Sequence, residues 1–111
     1  MSVNSRRKGA DAENEVCQIL RAAGWPQARR SSDGNAQAER GDIVRGPAGF
    51  HLEVKRREQI LIVQWSHQAE REAHETDRPA VIWRKSREPW RVCQLLDDWL
   101  PLAYTYEGGL R

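Results

Sequence analysis

The stretch from Asp42 to Lys55, Asp-Ile-Val-Arg-Gly-Pro-Ala-Gly-Phe-His-Leu-Glu-Val-Lys, leaves the chain few options. Phe50, Leu52 and Val54 alternate with His51, Glu53 and Lys55. An extended strand therefore puts the apolar three on one face and Glu53 and Lys55 on the other. Gly46-Pro47-Ala48-Gly49, just ahead, is turn chemistry, because glycine tolerates positive φ and proline fixes a negative φ suited to a turn's second position. Asp42-Ile43-Val44 then reads as the first strand of a hairpin, which returns Asp42 to the polar face. Two acids and a lysine at one end of a sheet meet the needs of metal-dependent phosphodiester hydrolysis.

Composition bounds the alternatives. The chain has 111 residues, enough for one domain with its own core, and we assign 1–111 to a single domain. Fifteen of its eighteen basic residues are arginine, and Lys8, Lys55 and Lys85 are the only lysines. A lysine two residues after Glu53 therefore stands out, since its compact ammonium is tunable where a guanidinium is not. Cys17 and Cys93 lack metal-ligand spacing and read as small buried residues in a reducing cytoplasm. His51, His67 and His74 form no HxxxH pair and read as surface or satisfied residues. The N-terminus has no apolar signal-like run, and no segment approaches the ~18 apolar residues of a membrane span. These features predict a soluble cytoplasmic protein without a membrane partner.

Taken in order, residues 1–9 read as a loose basic arm whose Arg6, Arg7 and Lys8 can reach phosphates. Val16, Ile19, Leu20 and Ala23, with Ala12, predict a helix over 10–23, stopped by Gly24 and Trp25-Pro26. Asp11, Glu13 and Glu15 then lie in its first turns, where the macrodipole favours negative charge. Glu13, one turn before Cys17, can also face the sheet. Residues 26–41 have loop composition with a short strand near 27–30, and Arg29, Arg30, Ser31 and Ser32 supply donors for phosphate oxygens. Beyond Lys55, Arg56 and Arg57 extend the basic character. Leu61-Ile62-Val63 reads as a third strand. A helix follows from Trp65 to about Glu75, with Ser66 as its cap. Strands are predicted at 80–83 and 90–95, then a helix over 96–100 ended by Pro101, with 102–111 as a flexible tail. Of the five tryptophans, most read as core, with one or two left to stack on DNA or build a dimer interface. The order, α-β-β-β-α-β-β, predicts an α/β sandwich with a mixed sheet.

A salt bridge between Glu53 and Lys55 would explain their pairing without any catalysis. The context favours chemistry: an aspartate across a turn and an acid on the preceding helix. Asp42 and Glu53 can hold Mg²⁺, a hard cation that prefers oxygen, with the Val54 carbonyl as a third ligand. Lys55 can position a water or oppose charge building on phosphorus. Glu13 can bind metal through water or anchor a second ion. Gln68, on the next helix, can orient water or phosphate.

These residues together resemble the PD-(D/E)xK nuclease superfamily, and within it the archaeal-type Holliday junction resolvases, which also occur in phages. Lys8-Gly9-x-x-x-Glu13 is similar to the family's opening signature. Gly24-Trp25-x-x-x-Arg29, followed by Ser31-Ser32, resembles its Gly-aromatic…Arg segment and serine loop. Gly41-Asp42-Ile43 fits the metal-binding aspartate, with Gly41 where the superfamily's name has proline. Leu52-Glu53-Val54-Lys55 resembles the Glu-x-Lys strand, Gln68 the glutamine of the following helix, and Trp90-Arg91-Val92 the closing strand. The resemblance implies a restriction-endonuclease-like fold, a homodimer, Mg²⁺ with Mn²⁺ able to substitute, and paired nicks in branched DNA such as a four-way junction. It makes Glu13, Asp42, Glu53 and Lys55 catalytic, with Arg29 and a loop serine near the scissile phosphate. Two rival readings remain: the same chemistry on other DNA, as in repair, restriction or phage DNA processing, and a non-catalytic DNA-binding module of the same fold. A plain interaction domain with merely solvated charges is a third.

Overall fold

A computed structural model describes residues 3–31 and 41–109. Its first element, α1 (Val3–Ala23), is longer than the predicted helix and takes in residues expected to form a loose arm. Ala12, Val16 and Cys17 are buried along one side, while Ile19, assigned to that stripe, is about half exposed. The end is as predicted. Gly24 has φ +130°, and the Trp25 N–H reaches back to the Leu20 carbonyl at 3.0 Å, the six-residue bond of a Schellman cap. Because α1 begins at Val3, Glu13 and Glu15 lie mid-helix, beyond the reach of its N-terminal dipole.

Two short strands follow, β1 (Arg29–Arg30) and β2 (Ile43–Val44), paired antiparallel to each other. The hairpin predicted for 42–55 is thus not a ladder. β2 takes β1 as its partner, and the link recorded to the next strand is the Asp42 N–H on the Leu52 carbonyl at 2.7 Å. That strand, β3 (Phe50–Arg56), runs parallel to β4 (Arg78–Arg84), which pairs antiparallel with β5 (Arg91–Gln94). Parallel neighbours need a crossover, and α2 (Ile62–Glu72) provides it.

Leu61-Ile62-Val63 is therefore not a strand; Ile62 opens α2. Ile62, Trp65 and Ala69 fall at helical spacing and pack with Val81, Trp83 and Cys93, whereas Val63 points to solvent. Ser66 is no cap either. It lies inside the helix and donates its hydroxyl to the Ile62 carbonyl at 2.7 Å. The α-β-β-β-α-β-β order survives, but its strands differ from those expected: β1 replaces 61–63.

The sheet is covered on both faces. α1 packs Ala12, Val16 and Cys17 on Leu52, Val54 and Ala80, while α2 packs Trp65 and Ala69 on Val81. The last element, α3 (Leu96–Gly109), runs through Pro101 and past the expected stop, into the residues assigned to a tail.

Candidate functional site

Period two in β3 sends His51, Glu53 and Lys55 to the face opposite Leu52 and Val54. His51 and Glu53 are almost wholly buried, at 2% and 3% exposure. Lys55, two residues nearer the strand end, is partly exposed and makes no ion pair among the described residues. Asp42 reaches this strand from the side. Its carboxylate Oδ2 accepts the Val54 N–H at 2.7 Å.

That approach depends on Gly41. Its φ is +75°, and a Cβ there would lie 2.9 Å from the Leu52 carbonyl oxygen and 3.2 Å from the Leu52 nitrogen. Proline, locked near φ −65°, cannot take this conformation. Ser31 secures the same segment: its hydroxyl donates to the Gly41 carbonyl at 2.6 Å, and its N–H to the Asp42 carbonyl at 3.1 Å.

Asp42 and Glu53 lie close enough for the charge of one to act on the other. Burial and the charge of Glu53 push the Asp42 carboxyl up to about 6, against the Val54 N–H and Lys55, which pull it down. Glu13 arrives from α1. Its burial raises its pKa, as do the charges of Asp42 and Glu53, and the Arg30 guanidinium opposes them. Arg30 Nε donates to Glu13 Oε1 at 2.8 Å. Three carboxyl groups from three segments thus share one field, with Lys55 close enough to act on Asp42.

The fourth side comes from residues that the sequence reading set aside. His51 Nε2 lies 2.8 Å from Glu53 Oε1. That bond comes first in raising the imidazole's pKa; burial opposes it, and the Glu53, Glu72 and Asp42 charges reinforce it. Potential ligand atoms of His51, Glu53 and Glu72 lie within 4.8 Å of one another. Gln68 Nε2 donates to Glu72 Oε1 at 3.3 Å, which ties the predicted glutamine to this group through Glu72. The available signal for His51 was its phase, shared with Glu53 and Lys55.

The donor set suits a hard divalent cation. Asp42 keeps Oδ1 available while Oδ2 takes the Val54 N–H, Glu53 stands beside it, and like charges at close quarters gain from a cation between them. His51 offers nitrogen to a softer ion.

The expected phosphate contacts divide. Arg30 is engaged with Glu13. Arg29, its neighbour along the strand, lines a different cavity with Ile43, Val44 and Phe50. The Ser31 hydroxyl proton is committed to Gly41. Arg7 is exposed on α1. Arg6 lies in the opening turns of α1, and Ser32 falls outside the described residues. Lys8, Arg56 and Arg57 gather at a separate cavity beyond Lys55. Arg56 is also paired with Glu15 at 3.2 Å.

Glu15, expected to serve the helix dipole, instead binds Arg56, Arg84 and the Trp90 indole N–H. Partial burial opposes its charge. The Arg84 and Trp90 hydrogen bonds and the two guanidinium charges outweigh that and hold its carboxyl below the usual range.

Residues 4–105 match the family described as "Phage putative PDDEXK endonuclease". Neither curated proteins nor solved structures offer a match. The α/β arrangement, a mixed three-stranded sheet and an antiparallel two-stranded one flanked by helices, is compatible with a restriction-endonuclease-like fold.

Proposed function

The chain belongs to this phage PDDEXK endonuclease family, and on that premise we propose that it is a divalent-metal-dependent DNA endonuclease with Glu13, Asp42, Glu53 and Lys55 as its catalytic residues. Nucleases of this type generally use divalent metals, and a nuclease of this family acts on DNA. The observation that carries the residue assignment is the convergence of Asp42 and Glu53 beside Lys55, with Asp42 pushed up to about 6.

Asp42 Oδ1, Glu53 and the Val54 carbonyl would hold Mg²⁺ or Mn²⁺. When bound, such an ion polarises the scissile phosphate and makes a water more acidic. The Val54 N–H and the Gly41 turn fix the direction in which Asp42 points. Glu13, braced by Arg30, faces the same space and orients water. Lys55 is the cation whose ammonium can lie against the attacking water or the phosphorane oxygens. Gln68 and Glu72 close the side toward α2. Arg6, Arg7, Arg29, Arg30, Ser31 and Ser32 are proposed to steer the DNA backbone, either by direct contact or by charge.

Branched DNA is the proposed substrate, with a homodimer placing two sites on opposing strands. Support for the dimer comes from α3 and β5. α3 stands largely clear of the rest of the fold and is apolar round much of its circumference, a pattern normally buried. Leu96, Trp99 and Leu100 are 49–65% exposed. β5 pairs with β4 alone among the described strands. With Val92 and Leu95, 62% and 47% exposed, the α3 residues make an apolar surface of the kind that marks an interaction site.

The test is cleavage of a labelled four-way junction and a matched linear duplex, with Mg²⁺ or EDTA. Lys55→Ala should lower the rate about a thousandfold; wild-type activity would remove the catalytic assignment. Equal cutting of junction and duplex would assign the protein to other phage DNA processing. Sedimentation should give a dimer that Trp99→Glu converts to a monomer.

A further inference from the structure

Past Lys55 the strand leaves the acidic cluster for a strongly basic one. Arg56 at the end of β3, Arg57 just past it, Lys8 on α1, Arg84 at the end of β4, and Ser86 and Arg87 in the β4–β5 turn line a cavity of about 620 Å³ with Glu58. Segments far apart in sequence bring five cations to one place with a single acid on its wall.

The wall is built rather than accidental. The Arg57 N–H donates to the Arg84 carbonyl at 3.2 Å. Glu58 Oε2 accepts the Ser86 N–H at 3.1 Å. Arg87 holds a positive φ of 64°, a conformation that a non-glycine residue adopts only at a cost. Glu15 grips Arg56 and Arg84 from behind, which fixes their positions while leaving the cavity with excess positive charge. Arg84 Nε is buried without a hydrogen-bond partner among the described residues, and its side chain is only 15% exposed. A buried donor without an acceptor, amid like charges, is a cost that an anion would relieve.

We infer that this cavity is a phosphate subsite for the DNA strand being cut, next to the scissile bond. The inference rests on the nuclease reading above. Arg57 follows Lys55 by two residues, its N–H on the Arg84 carbonyl holding the chain just past β3, and two residues of extended chain span about 6.6 Å. That is close to the through-space separation of adjacent phosphates on one DNA strand, so the cavity falls beside the scissile phosphate rather than on it. The ligand is an internal phosphodiester, bound by charge and guanidinium hydrogen bonds without reading the base. Arg84, Ser86 and Arg87 thereby gain a role that their sequence positions did not signal.

The experiment is a binding scan with the full chain in Ca²⁺. A labelled duplex carries one uncharged methylphosphonate at successive positions. A companion set is unmodified, with or without a 5′-phosphate. Wild type should lose about tenfold in affinity at one position. Arg57→Ala/Arg87→Ala should lose the same on unmodified DNA, lose nothing more at that position, and show a salt slope lower by about 0.9 per lost contact. Arg57→Lys/Arg87→Lys should recover part of the affinity. A wild-type scan with no preferred position overturns the proposal, as does a variant that keeps the same position dependence. Binding that depends only on the 5′-phosphate overturns the internal assignment. Should the double variant fail to fold, Arg87→Ala, on the exposed turn, decides by the same comparison. Absence of cleavage with any divalent metal would remove the nuclease reading, while a preferred position erased by the variants would still establish the phosphate subsite.

Discussion

Gly41 lies at φ +75° with the Leu52 backbone 2.9 Å from where a Cβ would stand. Alanine there meets both backbone strain and a backbone clash, so Gly41→Ala should lower stability by about 1–3 kcal/mol in urea unfolding and displace Asp42 from Val54. Asp42 itself is a stability liability in the metal-free protein. Its carboxyl is raised from 3.8 to about 6, so the folded state binds a proton more tightly than the unfolded one. Its contribution is complete below about pH 4 and is lost as pH rises through 6. Glu13 and His51 are raised as well and act in the same direction, from their own ordinary values upward. Asp42→Asn should therefore raise the metal-free melting temperature at pH 8 and flatten its decline between pH 4 and 7. A wild-type decline in that variant would place the raised group elsewhere.

The elements show where local pattern suffices and where it does not. α1's end was legible because a Schellman cap needs only Gly24 and its neighbours. Leu61-Ile62-Val63 misled because three β-branched or leucine residues satisfy both periods, and the choice came from Trp65 and Ala69 docking on Val81. In a strand Leu61 and Val63 would share a face; in α2, Val63 is 66% exposed. Val63→Lys should therefore change stability by no more than about 0.5 kcal/mol, whereas Trp65→Ala should cost about 3–5 kcal/mol, both measurable by denaturant titration. Pro101 misled in the other direction. A proline inside a helix loses a hydrogen bond and crowds the previous turn, yet α3 continues through it. Pro101→Ala should raise helicity in far-ultraviolet circular dichroism without altering the sheet core.

At the scale of the molecule, charge is sorted into two neighbouring fields. Carboxyl groups of Glu13, Asp42 and Glu53 gather on one side of Lys55, and the cations of Lys8, Arg57 and Arg87 on the other. The small net charge of +2 conceals this separation. A cation in the acidic field must displace the proton that Asp42 holds at low pH, so added Mg²⁺ should raise the melting temperature more at pH 8 than at pH 5. Chelation should reverse the gain. Equal gains at both pH values, or a gain in Asp42→Asn equal to that of wild type, would argue against Asp42 as a ligand.

The amino-acid sequence determined the phase of β3, with His51, Glu53 and Lys55 on one face, and the α1 stop at Gly24. It also carried the order of Glu13, Asp42, Glu53 and Lys55 along the chain. These depend on periodicity and turn chemistry, which act over a few residues. Tertiary structure decided the rest. It paired β2 with β1, turned His51 from an unremarkable histidine into the partner of Glu53, and gave Glu13 to Arg30 and Glu15 to Arg56, Arg84 and Trp90. It also drew Lys8, Arg57 and Arg87 around one cavity. Those contacts join residues from 2 to 75 positions apart, and the longer ones follow from how helices and strands dock, which no local spacing encodes.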